Sequence, residues 1–261
     1  MNNKGLSRTV LKNIAVVVMF INHFFAVYFT KFNGTNDTLE NFQWYFTRIS
    51  FFLFCFLLSE GMRYTRSRKK YILRLLIFAL VSEAAYDFVL NKQANIFYEQ
   101  NAMFDLFAGA LVIYFYDEYK NNRIIQIITI IMIVILDCLM RFSYSILGSL
   151  LPLMFYICNN DSRKLLIYGI PISIILSILL YIVTYLTIPG YSVLLQKQYF
   201  YHSVIECGLL EAHGLLSLPL IFLYNKSKGK QLPRYFYYVF YPAHLLLIEI
   251  IVYYLIKTPI F

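Results

Sequence analysis

All four histidines of this chain, His23, His202, His213 and His244, fall within or at the edge of long apolar runs. In the first run, the stretch "MFINHFF" (19–25) sets an amide and an imidazole side by side as Asn22 and His23. Carboxylates recur in the same surroundings. Glu83 and Asp87 lie four residues apart and so on one helix face, and Asp105, Asp137, Glu206, Glu211 and Glu249 follow. An imidazole titrates near neutrality and can take a proton from a nucleophile, and a carboxylate beside it fixes its tautomer and raises its basicity. Such a set suits acyl transfer to an amine or hydroxyl. It suits proton-coupled transport of a small polar solute equally, because the same groups relay protons. Metal chemistry is not indicated, since there is no HExxH or close His/Cys/Asp pattern and Glu206 with His213 makes no ligand set.

The elements that must position these groups are membrane helices. Of 261 residues, 60% are hydrophobic and 14% charged, whereas a soluble domain is roughly a quarter charged. A bilayer core takes about 20 apolar residues per helix. Hydropathy predicts about nine spans, near 11–31, 45–62, 71–90, 101–118, 124–141, 143–158, 164–188, 201–224 and 235–257. No linker or composition shift divides them, so the expectation is an all-α polytopic bundle forming a single integral membrane domain over 1–261. With the N-terminus inside and the C-terminus outside, Lys4, Arg8, Lys12, the basic residues of 63–74, Lys120, Arg123, Arg163, Lys164, Lys226, Lys228, Lys230 and Arg234 are cytoplasmic. The other side keeps only Lys31, Arg48, Lys92, Arg141, Lys197 and Lys257. The net charge of +9 is thus a charge of loops and does not point to nucleic acid.

The densest basic patch is "RYTRSRKKYILR" (63–74). It reads either as a loop bound to lipid phosphates or as a landing site for an anionic cosubstrate. In the second case Arg63, Arg66, Arg68, Lys69, Lys70 and Arg74 would grip phosphates. No GxxxxGK[ST] or GxGxxG stands nearby. An ionised side chain at mid-bilayer costs about 2.5–3.5 kcal/mol or more, so this many implies a polar cavity. It is expected to open outward and to be lined by spans 1, 3, 4, 8 and 9, with Arg48 paired to Asp87 or Glu83. Glu60 and Arg141 read as snorkelling residues and the tyrosines mostly as an interfacial belt. The four cysteines read as small buried apolar groups.

Four blocks resemble the TraX family of membrane proteins. They are "LKNIAVVVMFINHFFAVYF" (11–29), "RISFFLFCFLLSEGMRYTRSRKKYILRLLIFALVSEAAYDF" (48–88), "QNAMFDLFAGALVIYFYD" (100–117) and "HGLLSLPLIFLYNKSKGKQLPRYFYYVFYPAHLLLIEI" (213–250). The FYP-x-HL ending together with the first-span histidine is the more specific part. The resemblance implies a polytopic acetyltransferase of a bacterial plasma membrane. It would take acetyl groups from acetyl-CoA as cosubstrate, with no permanently bound cofactor. The acceptor would be the terminal amine of a pilin-like or other secreted peptide, or an envelope glycan. By the same resemblance His23 and Arg48 match the histidine and arginine of the first two blocks. Glu60, Arg63, Tyr71 and Arg74 match the loop, and Asn101 and His244 match the later blocks. Two family acids are absent, because Asn22 stands before the histidine and Ser143 opens "SYSILG" (143–148). The mechanism this suggests has His23 as general base, helped by Glu206 or Glu83. Arg48, His244 or Asn101 would hold the oxyanion, and His213 is the competing base. Loss of the two acids also leaves room for a non-catalytic membrane scaffold.

Overall fold

The computed structural model describes residues 5–32, 37–91, 99–187, 192–233 and 235–257. Lys4, Lys92 and Arg234, counted above among the basic residues, and the side chain of Lys257 lie outside the described residues. The chain is helical throughout, and strand pairing among the described residues is confined to two isolated bridges. The rods are α1 (Arg8–Phe32), α2 (Asp37–Tyr64), α3 (Arg68–Tyr86), α4 (Ala102–Glu118), α5 (Arg123–Leu139), α6 (Ser145–Cys158), α7 (Ser162–Thr187), α8 (Lys197–Phe222) and α9 (Phe236–Lys257). Each falls on one of the apolar runs. Several begin where a short polar side chain caps the first turn: Asn101 accepts from Met103 N–H, Asn122 from Ile125 N–H and Asp161 from Arg163 N–H. Asn159 and Asn160, in left-handed conformation, end α6 and start the turn into α7.

Among the described residues, five stretches are long and apolar enough to cross a membrane: Arg8–Lys31, Gln43–Tyr64, Ser162–Thr187, Lys197–Phe222 and Phe236–Leu255. The others are shorter or more polar. At 1.5 Å per residue, the 17 residues of α4 and of α5 reach only about 26 Å, against roughly 30 Å of hydrocarbon. The chain is therefore a helical membrane protein that combines long rods with shorter ones. The apolar side of α5, with Ile124, Ile128, Ile131 and Ile135 exposed, suits lipid, while Gln126 and Asp137 of the same helix are buried.

Contacts between turns sort the ends of the rods into two faces. At one face the N-terminal segment pairs with the turn after α8 (Leu6 N–H to Leu223 O, 2.7 Å; Asn225 N–H to Leu6 O, 3.0 Å). On that face too, Arg68 bonds Asp117 and Asn160 bonds Glu60. This end carries the cationic turns and is called the basic end below. At the opposite end Gln100 N–H reaches Arg141 O (3.0 Å) and Arg141 reaches Thr187 O (3.2 Å).

α2 is the centre of the bundle, and most of its apolar stretch is buried. On one side α1, α2, α4, α3 and α9 form a closed ring in which each touches the next. On the other side α6 and α8 pack against the back of α2, and α7 lies against both of them. The α2–α8 approach is close because residue 214 is glycine: an added Cβ would stand 2.0 Å from the Phe52 ring.

Candidate active site

The five-helix ring encloses a cavity of about 200 Å³. From α1 it takes Lys12, Val16, Met19, Asn22 and His23. Their offsets of four, seven, ten and eleven from Lys12 follow the helical repeat, so they share one face. α2 adds Thr47, Ser50 and Phe54, α4 adds Ala102 and Met103, and Tyr71, Tyr237, Tyr238 and Tyr241 come from α3 and α9. The cavity therefore runs from the basic end, at Lys12, Tyr71 and Tyr237, to His23 near mid-helix. Beyond His23 the seam between α1 and α9 is closed by Val27, Leu245, Ile248 and Val252. Both points differ from the outward-facing cavity expected with span 8 in its wall. The physical reason is the short α2–α8 contact at Gly214, which puts α8 behind α2 and leaves α2 itself to face the cavity.

The polar centre of the cavity is a pair of imidazoles. His23 Nδ1 lies 2.7 Å from His244 Nε2, and His244 Nδ1 lies 3.0 Å from Phe240 O. A carbonyl only accepts, so His244 carries its proton on Nδ1 and offers Nε2 as an acceptor. His23 must then donate from Nδ1, which leaves its Nε2 as an unprotonated base. Edge-on contact with Tyr241 (centroids 6.3 Å apart) and stacking of Phe240 on His244 (5.1 Å) hold the two rings.

Asn22 does not hold the neighbouring imidazole. Its Oδ1 accepts from Gln43 Nε2 (2.9 Å) and lies 2.9 Å from the Thr47 hydroxyl, which also reaches Gln43 O at 2.5 Å. With its carbonyl held on α2, the amide still lines the cavity and keeps its NH2 as a donor.

The remaining residues singled out from sequence are placed as follows. Glu83 accepts from the Asn101 backbone N–H (3.1 Å) and from the Asn101 side-chain amide, tying α3 to the start of α4. Arg48 pairs with Glu211 at 3.1 Å and lies over Trp44 at 4.5 Å, so its partner is neither Asp87 nor Glu83. Glu206 bonds His202 at 2.6 Å on the outside of α8, where the His202 side chain is 83% exposed. His213 is bound to Leu209 O and Leu210 O and packs on Tyr45. Neither Glu206 nor His213 is brought to His23, because α8 presents them behind α2. Glu60, read as snorkelling, is buried among Arg8, Arg63 and Asn160.

The basic loop is divided in the same way. Arg63 is spent on Glu60 and on the Tyr156 carbonyl and ring. Arg68 is spent on Asp117, Met62 O and the Tyr156 hydroxyl. Arg66, Lys69 and Lys70 are exposed, and Arg74 lies over the Tyr71 ring at 5.6 Å. Residue types and motifs single out neither Lys12 nor the cavity tyrosines. Lys12 does carry a signal in the sequence, since it shares the α1 stripe with His23, whereas the tyrosines look like any interfacial belt.

Compared with known proteins, the chain matches a family model described as TraX protein over residues 7–252. No curated protein and no solved structure matches it.

Proposed function

The chain belongs to the TraX family, and from that premise we propose that it is a membrane-embedded acetyltransferase. It would move an acetyl group from cytosolic acetyl-CoA to an amine or hydroxyl acceptor. The observation that carries the reading is His23 Nε2, a base whose tautomer His244 sets, at the inner end of a cavity that reaches the basic end. On this reading the basic end faces the cytosol, the bundle crosses the bacterial plasma membrane about nine times, and the thioester arrives from that side.

The acceptor N–H or O–H gives its proton to His23 Nε2 while its heteroatom attacks the thioester carbonyl carbon. His244 accepts the hydrogen bond from His23 Nδ1 and so keeps the ring turned for this transfer. The Asn22 NH2 would donate to the carbonyl oxygen as it becomes negative, an interaction worth about 3–4 kcal/mol in such sites. The C–S bond then breaks, and the imidazolium returns its proton to the departing thiolate. Acceptors such as a secreted peptide's terminal amine or an envelope glycan would meet His23 from the opposite end, where the α1–α9 seam closed by Val27, Leu245, Ile248 and Val252 would have to part.

The test is transfer of labelled acetyl from acetyl-CoA in membranes that contain the protein, with surface peptides and glycans compared by mass spectrometry with and without its gene. Protein-dependent label on an amine or hydroxyl supports the reading. Identical acetylation in both strains and no transfer in membranes would overturn it.

A further inference from the structure

Among the described residues, most partly buried cations in this bundle already have a partner. Arg8 and Arg63 face Glu60, Lys31 bonds Glu249, Arg48 faces Glu211 and Arg68 bonds Asp117. Arg141 reaches the Thr187 carbonyl. Lys12 and Arg74 differ, because both meet only tyrosine rings: Lys12 Nζ lies 5.1 Å from the Tyr237 centroid and Arg74 lies 5.6 Å from that of Tyr71. Arg74 Nε is buried and has no hydrogen-bond partner, as is true of Arg8, Arg48 and Arg63, but those three have a carboxylate within 3.8 Å. Both rings line the cavity, as does Lys12 itself. Arg8, one turn before Lys12 on α1, adds to the positive field there. Cations half removed from water without counter-ions are costly unless an anion arrives to meet them.

We propose that Lys12 and Arg74 form the phosphate clamp for a phosphopantetheine arm, with Tyr71 and Tyr237 flanking its entry. The inference rests on the acetyltransferase reading and says which residues hold the donor. Length supports it. Lys12 and His23 lie on one face, and at 1.5 Å per residue they are about 16 Å apart along α1. An extended phosphopantetheine arm is of that length, so a phosphate at Lys12 puts the thioester at His23. The cavity wall between them, past Val16, Met19 and Leu58, is largely apolar and suits such a chain. The phosphate belongs to this clamp and not to the exposed part of the loop, Arg66, Lys69 and Lys70. The arm itself has two sources, free coenzyme A or an acyl carrier protein.

Binding to the purified full-length protein in nanodiscs, measured by calorimetry, tests this apart from turnover. The wild type should bind coenzyme A and 4′-phosphopantetheine, and bind unphosphorylated pantetheine much more weakly. Lys12→Ala and Arg74→Ala should each weaken the two phosphorylated ligands about tenfold or more and leave pantetheine unchanged. Lys12→Arg should retain binding, which separates lost charge from lost fold, and His202→Ala, on the outside of α8, should bind as wild type. A holo carrier protein that competes where coenzyme A does not would assign the arm to the carrier, with the clamp intact. The proposal is overturned if the two alanine variants bind as wild type, or if only a combined Arg66, Lys69 and Lys70 replacement loses the phosphate preference. Normal clamp behaviour with no acetyl transfer would instead sink the acetyltransferase reading alone.

Discussion

Two histidine pairs in this bundle invite comparison. His202 and Glu206, at 2.6 Å, form the imidazole–carboxylate couple that a search for a general base would rank first. Yet they sit on the outer surface of α8, with the His202 side chain 83% exposed, and neither lines the cavity that His23 enters. His23 and His244 have no carboxylate, but they stand on two helices that wall a cavity and have their hydrogens ordered by the Phe240 carbonyl. The same contrast separates the two sides of α2. Behind it, Arg48 and Glu211 meet and satisfy each other. In front of it, His23, Asn22 and Lys12 line the cavity and Arg74 lies over the Tyr71 ring. Groups that neutralise one another hold helices together; groups left over are available to a ligand.

The widest gap between the two pairs should appear in turnover. His23→Ala is expected to cut acetyl transfer by about a hundredfold or more, the usual contribution of a general base, while His202→Ala leaves it unchanged at equal expression. If the two variants behave alike, the comparison fails. The next effect is on stability. Arg48→Met leaves Glu211 buried without its cation and should cost about 3–5 kcal/mol, seen as a fall in thermal unfolding temperature in detergent. Adding Glu211→Leu should recover most of it, and no recovery would mean that Arg48 acts on something other than its partner.

Asn22→Asp gives a sharper test on the cavity side. A carboxylate can still accept from Gln43 and Thr47, so the helix contact survives, but the donor is gone. Turnover should fall by about a hundredfold in line with loss of one oxyanion donor. A rise in turnover would show that position 22 serves the imidazole and not the substrate. The smallest effect is expected at Gly214→Ala, where the Phe52 ring must move to admit a methyl. A cost of about 1–3 kcal/mol is typical of such overpacking. It should loosen α8 from α2 without changing the affinity for coenzyme A.

Much of the candidate site is legible in the amino-acid sequence. The positions of the rods follow from apolar runs and from capping residues such as Asn101 and Asp161. The α1 stripe from Lys12 to His23 follows from a repeat of 3.6. Both His23 and His244 stand out through their apolar surroundings. The partner of Arg48 is not legible, because Glu83, Asp87 and Glu211 are equal candidates until the faces of α2, α3 and α8 are known. The loop arginines look alike in a row of cations, but Arg63 and Arg68 turn to Tyr156 and Asp117, on other helices, while Arg74 does not.

What the sequence determined alone is therefore local: helical rods, an all-helical membrane protein, the sharing of a face by Lys12, Asn22 and His23. These depend on spacing along one chain segment, where hydrogen bonds and side-chain direction repeat every few residues. Tertiary structure decided which polar groups are spent and which are free. His23 meets His244 across 221 residues, and a hydrogen bond of 2.7 Å requires two helices to be set at one depth and one rotation. Close packing at Gly214 and around α2 sets those, and no periodicity in either helix records it.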